Sequence, residues 1–272
     1  MTSTETVKPS AKDVLWENVQ TILLALVLAM AIRFVAVQPF RIPSGSMQPT
    51  LLVGDYILVT KWSYGYSRFS AIRMPGPHGR VLGREPARGD VVVFRPPPDE
   101  SKDFIKRLIG LPGDKIQVRD GVLYINGKPT KREYIDTITF HDWDDDRKIG
   151  SVARPQRYRE ELPNGVSYTT FSRADRRQEF SGYPPCDGFV APCDPDNTVV
   201  FTVPPGHYFF MGDDRDNSAD SRTPTVGHVP FENLVGHAQF VVVSWDPPKT
   251  NLLLPWTWFT GLRGDRFFKD VP

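Results

Sequence analysis

One stretch near the start of the chain constrains the rest. Ile22 to Ile32 holds no polar residue, and Val19 to Val37 is broken only by Gln20, Thr21 and Arg33. A membrane-crossing helix needs about 20 mainly apolar residues. Arg33 would reach one interface along its own aliphatic stem. Trp16 would sit at the other, where indoles are favoured. A cleavable leader is one rival, because Ala29-Met30-Ala31 has the small-x-small pattern of a cleavage site. Against it, residues 1–20 carry Glu5, Asp13 and Glu17 beside Lys8 and Lys12, which is not a basic leader. A buried helix of a soluble domain is the other rival. A run with no polar position on any face fits lipid better than a half-exposed helix. The sequence therefore predicts an uncleaved transmembrane helix over 19–38, preceded by a tail at 1–18. Lys and Arg favour neither flank, so charge does not orient it.

After Pro39 the pattern changes. Short β-like runs occur at Tyr56–Thr60, Asp90–Arg95, Phe104–Leu111, Lys115–Arg119, Val122–Ile125, Thr198–Val203, Tyr208–Met211 and Ala238–Trp245. Asp120-Gly121 reads as a tight hairpin turn, and Asn126-Gly127 marks the next one. The 26 prolines and 21 glycines favour short strands over long helices. The expected fold is mainly β. An antiparallel sheet spans 39–126 and 199–250, and a β-rich subdomain rich in charge, Pro and Gly is inserted at 127–198. The net charge of +1 gives no basic face for nucleic acid. Cys186 and Cys193 are either two free thiols or a short bridged loop, and two cysteines alone do not decide. At 251–272, Leu252–Phe259 is very apolar and Arg263, Arg266 and Lys269 follow. That tail either packs on the body or lies at a membrane surface.

Three segments carry chemistry. Pro43 and Pro49 bracket a small polar loop, Ser44-Gly45-Ser46-Met47-Gln48, directly after the apolar segment. Alone it is an ordinary turn. Its position could present a serine at a membrane surface. A nucleophilic serine needs a base, and none of the five histidines sits in a triad context. A lysine serves if apolar burial lowers its pKa. Lys106 is the candidate, because strand alternation puts it between Phe104 and Leu108 on one face. The third segment is Gly212-Asp213-Asp214-Arg215-Asp216-Asn217-Ser218-Ala219-Asp220-Ser221-Arg222. Its alternating oxygens fail as a calcium loop, with Ala219 at the sixth position and Thr225 at the twelfth. It reads as a bracing loop of ion pairs such as Asp220 with Arg222. No metal or other cofactor is implied.

Taken together these segments resemble the bacterial type I signal peptidases. Pro43-Ser44-Gly45-Ser46-Met47-x-Pro49-Thr50-Leu51 is similar to that family's nucleophile box. Gly54-Asp55-Tyr56-Ile57-Leu58-Val59-x-Lys61 with Tyr64-Gly65 is similar to the next. Arg88-Gly89-Asp90-Val91-Val92-Val93-Phe94, with Ile105-Lys106-Arg107-x-x-Gly110-Leu111-Pro112-Gly113-Asp114, is similar to the lysine box, and Gly212–Arg222 to the last. The resemblance implies a Ser46 nucleophile, a Lys106 general base, and an oxyanion hole from the Ser44 hydroxyl and the Ser46 N–H. It implies that Ser218 orients the Lys106 amine while Asp220 and Arg222 hold the loop. Phe40, Ile42, Pro43, Met47, Leu51, Val93, Phe104 and Ile105 would line shallow substrate pockets. Asp214 stands where many relatives have Asn. The partners implied are signal peptides of exported preproteins and membrane lipid, with a single-pass inner-membrane anchor and a periplasmic body. That compartment favours a Cys186–Cys193 disulfide.

A self-cleaving Ser/Lys repressor would need a DNA-binding helix-turn-helix, which the sequence lacks. A processing peptidase for conjugation pilins shares the same motifs. A membrane-tethered β-domain that binds export machinery without catalysis is the third alternative.

Overall fold

The computed structural model describes residues 10–70, 79–144, 149–173, 178–180, 182–250, 254 and 256–272. Helix α1 is Ala11–Val35. Its described side chains from Val14 to Met30 are all exposed, including Leu24 at 70% and Met30 at 64%. No helix among the described residues is long and apolar enough to cross a membrane. The spanning segment expected over 19–38 is therefore not established by this helix. Polar Glu17, Asn18, Gln20 and Thr21 occupy the early turns of the helix and shorten its apolar stretch, with the Thr21 hydroxyl bonded back to the Glu17 carbonyl. Residues 1–9 of the predicted tail, and 251–253 and 255 near the other end, lie outside the described residues.

The body is built of short strands, as the alternation predicts. β1 (Val37–Arg41), β2 (Asp55–Thr60), β3 (Val91–Phe94) and β4 (Phe104–Gly110) are followed by β5 (Lys115–Arg119), β6 (Val122–Ile125) and β7 (Lys128–Pro129). The turn between β5 and β6 uses Asp120 and Gly121, both at positive φ, where glycine costs least. β8 (Lys131–Thr137), β9 (Phe140–Asp144), β10 (Ile149–Ala153), β11 (Gln156–Glu161) and β12 (Ser167–Ser172) come next. The chain continues through β13 (Pro185–Cys186), β14 (Asp194–Thr198), β15 (Phe201–Thr202), β16 (His207–Met211) and β17 (Val229–Pro230) to β18 (Leu234–Ser244) and β19 (Lys269–Asp270). The predicted strand at Thr198–Val203 is split. Val199 and Val200 are about half exposed, while the Thr198 hydroxyl accepts the Val118 N–H, which ends β14 there.

Among the described residues the largest sheet runs β1-β2-β18-β3-β4-β16-β17, with β19 on β18. Its pairings are antiparallel. A second sheet, β15-β5-β6-β7, packs beside it, and Ile109, Ile116, Leu123, Phe201 and Phe209 share one core. Leu162 and Tyr168 belong to that same core, so the β12-β11-β8 sheet is seated on the body. The link is also a backbone one. Phe171 N–H donates to the Asp213 carbonyl at 2.9 Å, and Arg215 N–H donates to Phe171 at 3.1 Å. Near the C-terminal end, Val271 enters the core of Met47, Leu51 and Ile57. Arg266 donates to both carboxylate oxygens of Asp55 and β19 pairs with β18, which ties residues 266–271 to the body. Trp256 and Phe259 in the same tail are 67% and 82% exposed.

Cys186 and Cys193 are bonded to each other with a sequence separation of 7. A loop this short restricts the unfolded chain modestly, so replacing both with Ser should cost about 2 kcal/mol. Urea unfolding checks the magnitude, and turnover should stay close to the wild-type level.

Candidate active site

The serine loop starts where β1 ends. Ser44 caps a single 3-10 turn, Gly45–Met47, with an extended backbone and no side-chain capping bond. Its hydroxyl therefore does not satisfy the turn's own donors. Met47 and Leu51 have no exposed surface and pull the turn onto the core. Ser46 is left 8% exposed at the edge of that core.

Strand β4 carries Lys106. β16 pairs with β4 only at Arg107–Gly110, so it leaves Phe104–Lys106 unpaired on that side. Lys106 Nζ lies 2.7 Å from Ser46 Oγ and 2.9 Å from its neighbour's carbonyl, Ile105 O. Phe104 covers the amine, its ring centroid 5.4 Å away. Burial lowers the Lys106 pKa to about 8, against the opposing pull of the Asp220 and Asp213 carboxylates. Near pH 8 a large share of the amine is then neutral, within hydrogen-bond reach of the Ser46 hydroxyl.

Those two carboxylates are restrained by arginines. Arg222 grips Asp220 through Nε at 2.9 Å and Nη2 at 2.8 Å, and donates to the carbonyls of Pro195 and Arg215. Asp220 also accepts the Gly212 N–H at 3.0 Å. Arg107 grips Asp213 at 2.9 and 2.8 Å and lies 4.1 Å over the Tyr168 ring. Such pairs are costly to break, because the remaining charge stays buried and unpaired.

The other expected residues fall as follows. Phe40, Ile42, Val93 and Ile105 sit in or against one core cluster beside the serine loop, and Phe104 lies in the neighbouring one. Pro43 is exposed. Met47 and Leu51 do not meet the expectation of substrate contact, since with no exposed surface they support the loop from beneath. Ser218 departs too. Its Oγ is buried without a hydrogen-bond partner, and Lys106 bonds Ser46 and a backbone carbonyl instead. The residues that sequence reasoning missed are Glu160, Tyr168, Asp142 and Arg173 from the insert. Arg215 is held in a two-point pair by Glu160 at 2.8 and 2.7 Å. No periodicity signals a contact between residues 55 apart in sequence.

Gly212 is where the bracing loop passes the serine. A Cβ there would lie 2.5 Å from the Ser46 carbonyl oxygen and would also overlap Ser218 Oγ. Backbone cannot yield that much without moving Ser46. Gly212→Ala should therefore lower kcat by about 100-fold, the loss that a 1 Å misplacement can bring. Steady-state kinetics on the purified variant would show it.

The sequence matches the profile of the family described as "Signal peptidase, peptidase S26" over residues 15–245. Signal peptidase I of Rickettsia typhi is 43% identical over 255 residues, covering 90% of this chain and 89% of that protein. Signal peptidase I of Rickettsia canadensis is 40% identical over 282 residues, covering 99% and 97%. A crystal structure of a signal peptidase I from Enterococcus faecalis is similar at 25% identity and a TM-score of 0.28, covering 57% of this chain and 97% of that one. The chain belongs to the signal peptidase family, peptidase S26, and is by that membership a serine peptidase.

Proposed function

We propose that this peptidase removes signal peptides from exported preproteins, with Ser46 as nucleophile and Lys106 as general base. The observation that carries the reading is the enclosed 2.7 Å contact between Ser46 Oγ and Lys106 Nζ. In the neutral amine, Nζ accepts the serine proton as Oγ attacks the scissile carbonyl. The resulting oxyanion is held by the Ser44 hydroxyl and the Ser46 N–H. Lys106, now an ammonium, gives its proton to the leaving amine of the mature protein. It then takes a proton from the water that releases the signal peptide from Ser46.

The substrate would lie extended along the free edge of Phe104–Lys106, with β1 at the edge of the same sheet on the other side of the loop. Phe40 and Ile105, both half-buried, with Pro43 at the rim, form walls over a floor of Ile42 and Val93. Shallow pockets lined by these side chains would admit alanine-sized groups. Small residues are therefore favoured one and three positions before the cut, and Leu or Phe directly before it should block cleavage.

The membrane supports the same reading. α1 exposes its described apolar residues from Val14 to Met30, and Trp256 and Phe259 are uncovered. Apolar surface of this kind marks contact with a membrane or partner. The anchor would sit in the inner membrane with residues 39–272 on the periplasmic side.

Purified protein in detergent, tested against a preprotein, examines the chemistry. Ser46→Ala and Lys106→Ala should abolish cleavage. Lys106→Arg should fail as well, because a guanidinium stays protonated. Cleavage by Lys106→Arg at the wild-type rate would exclude the lysine as base. The pH profile has a definite sign. The active form is the neutral amine, and burial holds its pKa at about 8, below the usual lysine value. kcat/KM should rise about tenfold per pH unit on the acid side and level off above pH 8. Ser44→Ala should fold normally and cost about 2.7–4 kcal/mol of barrier.

A further inference from the structure

We propose that Arg173, carried by the inserted segment just after β12, is a positioning residue for Ser46: it clamps Asp142 and Asp214 behind the serine loop. The proposal rests on the reading of Ser46 as nucleophile.

Arg173 is 3% exposed. Its Nε donates to Asp214 Oδ1 at 3.0 Å and its Nη2 to Asp214 Oδ2 at 2.5 Å. Its Nη1 donates to Asp142 Oδ2 at 2.8 Å, and Nη2 also reaches Gln48 Oε1 at 3.4 Å. Each of these partners touches the serine loop. Asp214 N–H donates to the Ser46 carbonyl at 3.2 Å. Gln48 N–H closes the turn on the Gly45 carbonyl at 2.9 Å, while Gln48 Nε2 donates to Asp142 Oδ1 at 3.3 Å. The arginine is itself fixed at the backbone, its N–H donating to Asp216 Oδ2 at 2.6 Å. Ser172 Oγ shares that oxygen at 3.2 Å.

The electrostatics make the clamp necessary. Burial pushes the Asp214 carboxyl up to about 7; Arg173 works against that rise, and Asp142 adds to it. One guanidinium thus holds two carboxylates together next to the serine turn. Without it, Asp214 faces Asp142 with no cation between them. Asp142, half-buried, can turn toward water. Asp214 has no exposed surface and can reach water only by moving its backbone, and that backbone carries the N–H bonded to Ser46. A lysine would not substitute, since a point charge cannot bridge Asp142, Asp214 and Gln48 through one planar fork.

The test is the cleavage kinetics of Arg173→Met, alone and combined with Asp214→Asn. Loss of positioning acts on the chemical step, so kcat should fall at least about tenfold with KM within about twofold of wild type. Adding Asp214→Asn removes the buried carboxyl that lost its cation and should return kcat to within about threefold of wild type. An unchanged kcat in Arg173→Met overturns the proposal alone, and so does a kcat loss that Asp214→Asn does not relieve. Turnover retained by Ser46→Ala, measured in parallel, overturns the nucleophile and this proposal together. If Arg173→Met does not fold, Arg173→Lys replaces it. Its kcat should be reduced about threefold to tenfold, and a wild-type kcat there overturns the clamp.

Discussion

Enclosing a lysine amine strips its hydration and disfavours the charged form, and the arrangement around Lys106 depends on that effect. The amine is within 2.7 Å of Ser46 Oγ, has Phe104 over it, and is held near neutrality at about pH 8. A histidine would titrate in this range unaided, whereas a lysine does so only when packing forces it. The fold therefore has to bury a potential cation and keep nearby carboxylates from restoring its charge. Asp213 and Asp220 both favour the ammonium, and each is gripped by an arginine at two points.

The same logic explains the density of buried ion pairs in residues 213–222. Arg107–Asp213, Arg173–Asp214, Arg215–Glu160 and Arg222–Asp220 are all almost fully enclosed. Buried pairs are a weak source of stability compared with apolar packing. They give fixed directions to backbone groups around Ser46 and Lys106, which the proposed dyad requires. Two of the four draw a partner from the inserted segment, which is thereby joined to the serine loop as well as to the second sheet. Arg266 on Asp55 does the same from the C-terminal end.

Much of the body was legible in the sequence because it follows local rules. Alternation located β2 to β6, β16 and β18, and Asp120-Gly121 marked its turn through the positive φ that both residues adopt. Lys106 between Phe104 and Leu108 was legible for the same reason. The Thr198–Val203 strand was not, because a side-chain acceptor at Thr198 ends it, and no hydropathy pattern records that. Arg173, Glu160 and Asp142 were not legible either. Their charged partners lie 31 to 55 residues away, and the folded chain alone brings them together. Ser218 is the converse case. The family motif assigns it a bond to the lysine, whereas its hydroxyl here is buried and unpaired.

The central claim is that Lys106 is a base because it is buried. Its titration can be followed directly by NMR of the protein carrying 13C-labelled lysine, with Lys106→Arg identifying the resonance. The account predicts a midpoint near pH 8 for that signal, with the exposed lysines titrating about two units higher. A Lys106 midpoint above about 10, in the range of an exposed lysine, would contradict it.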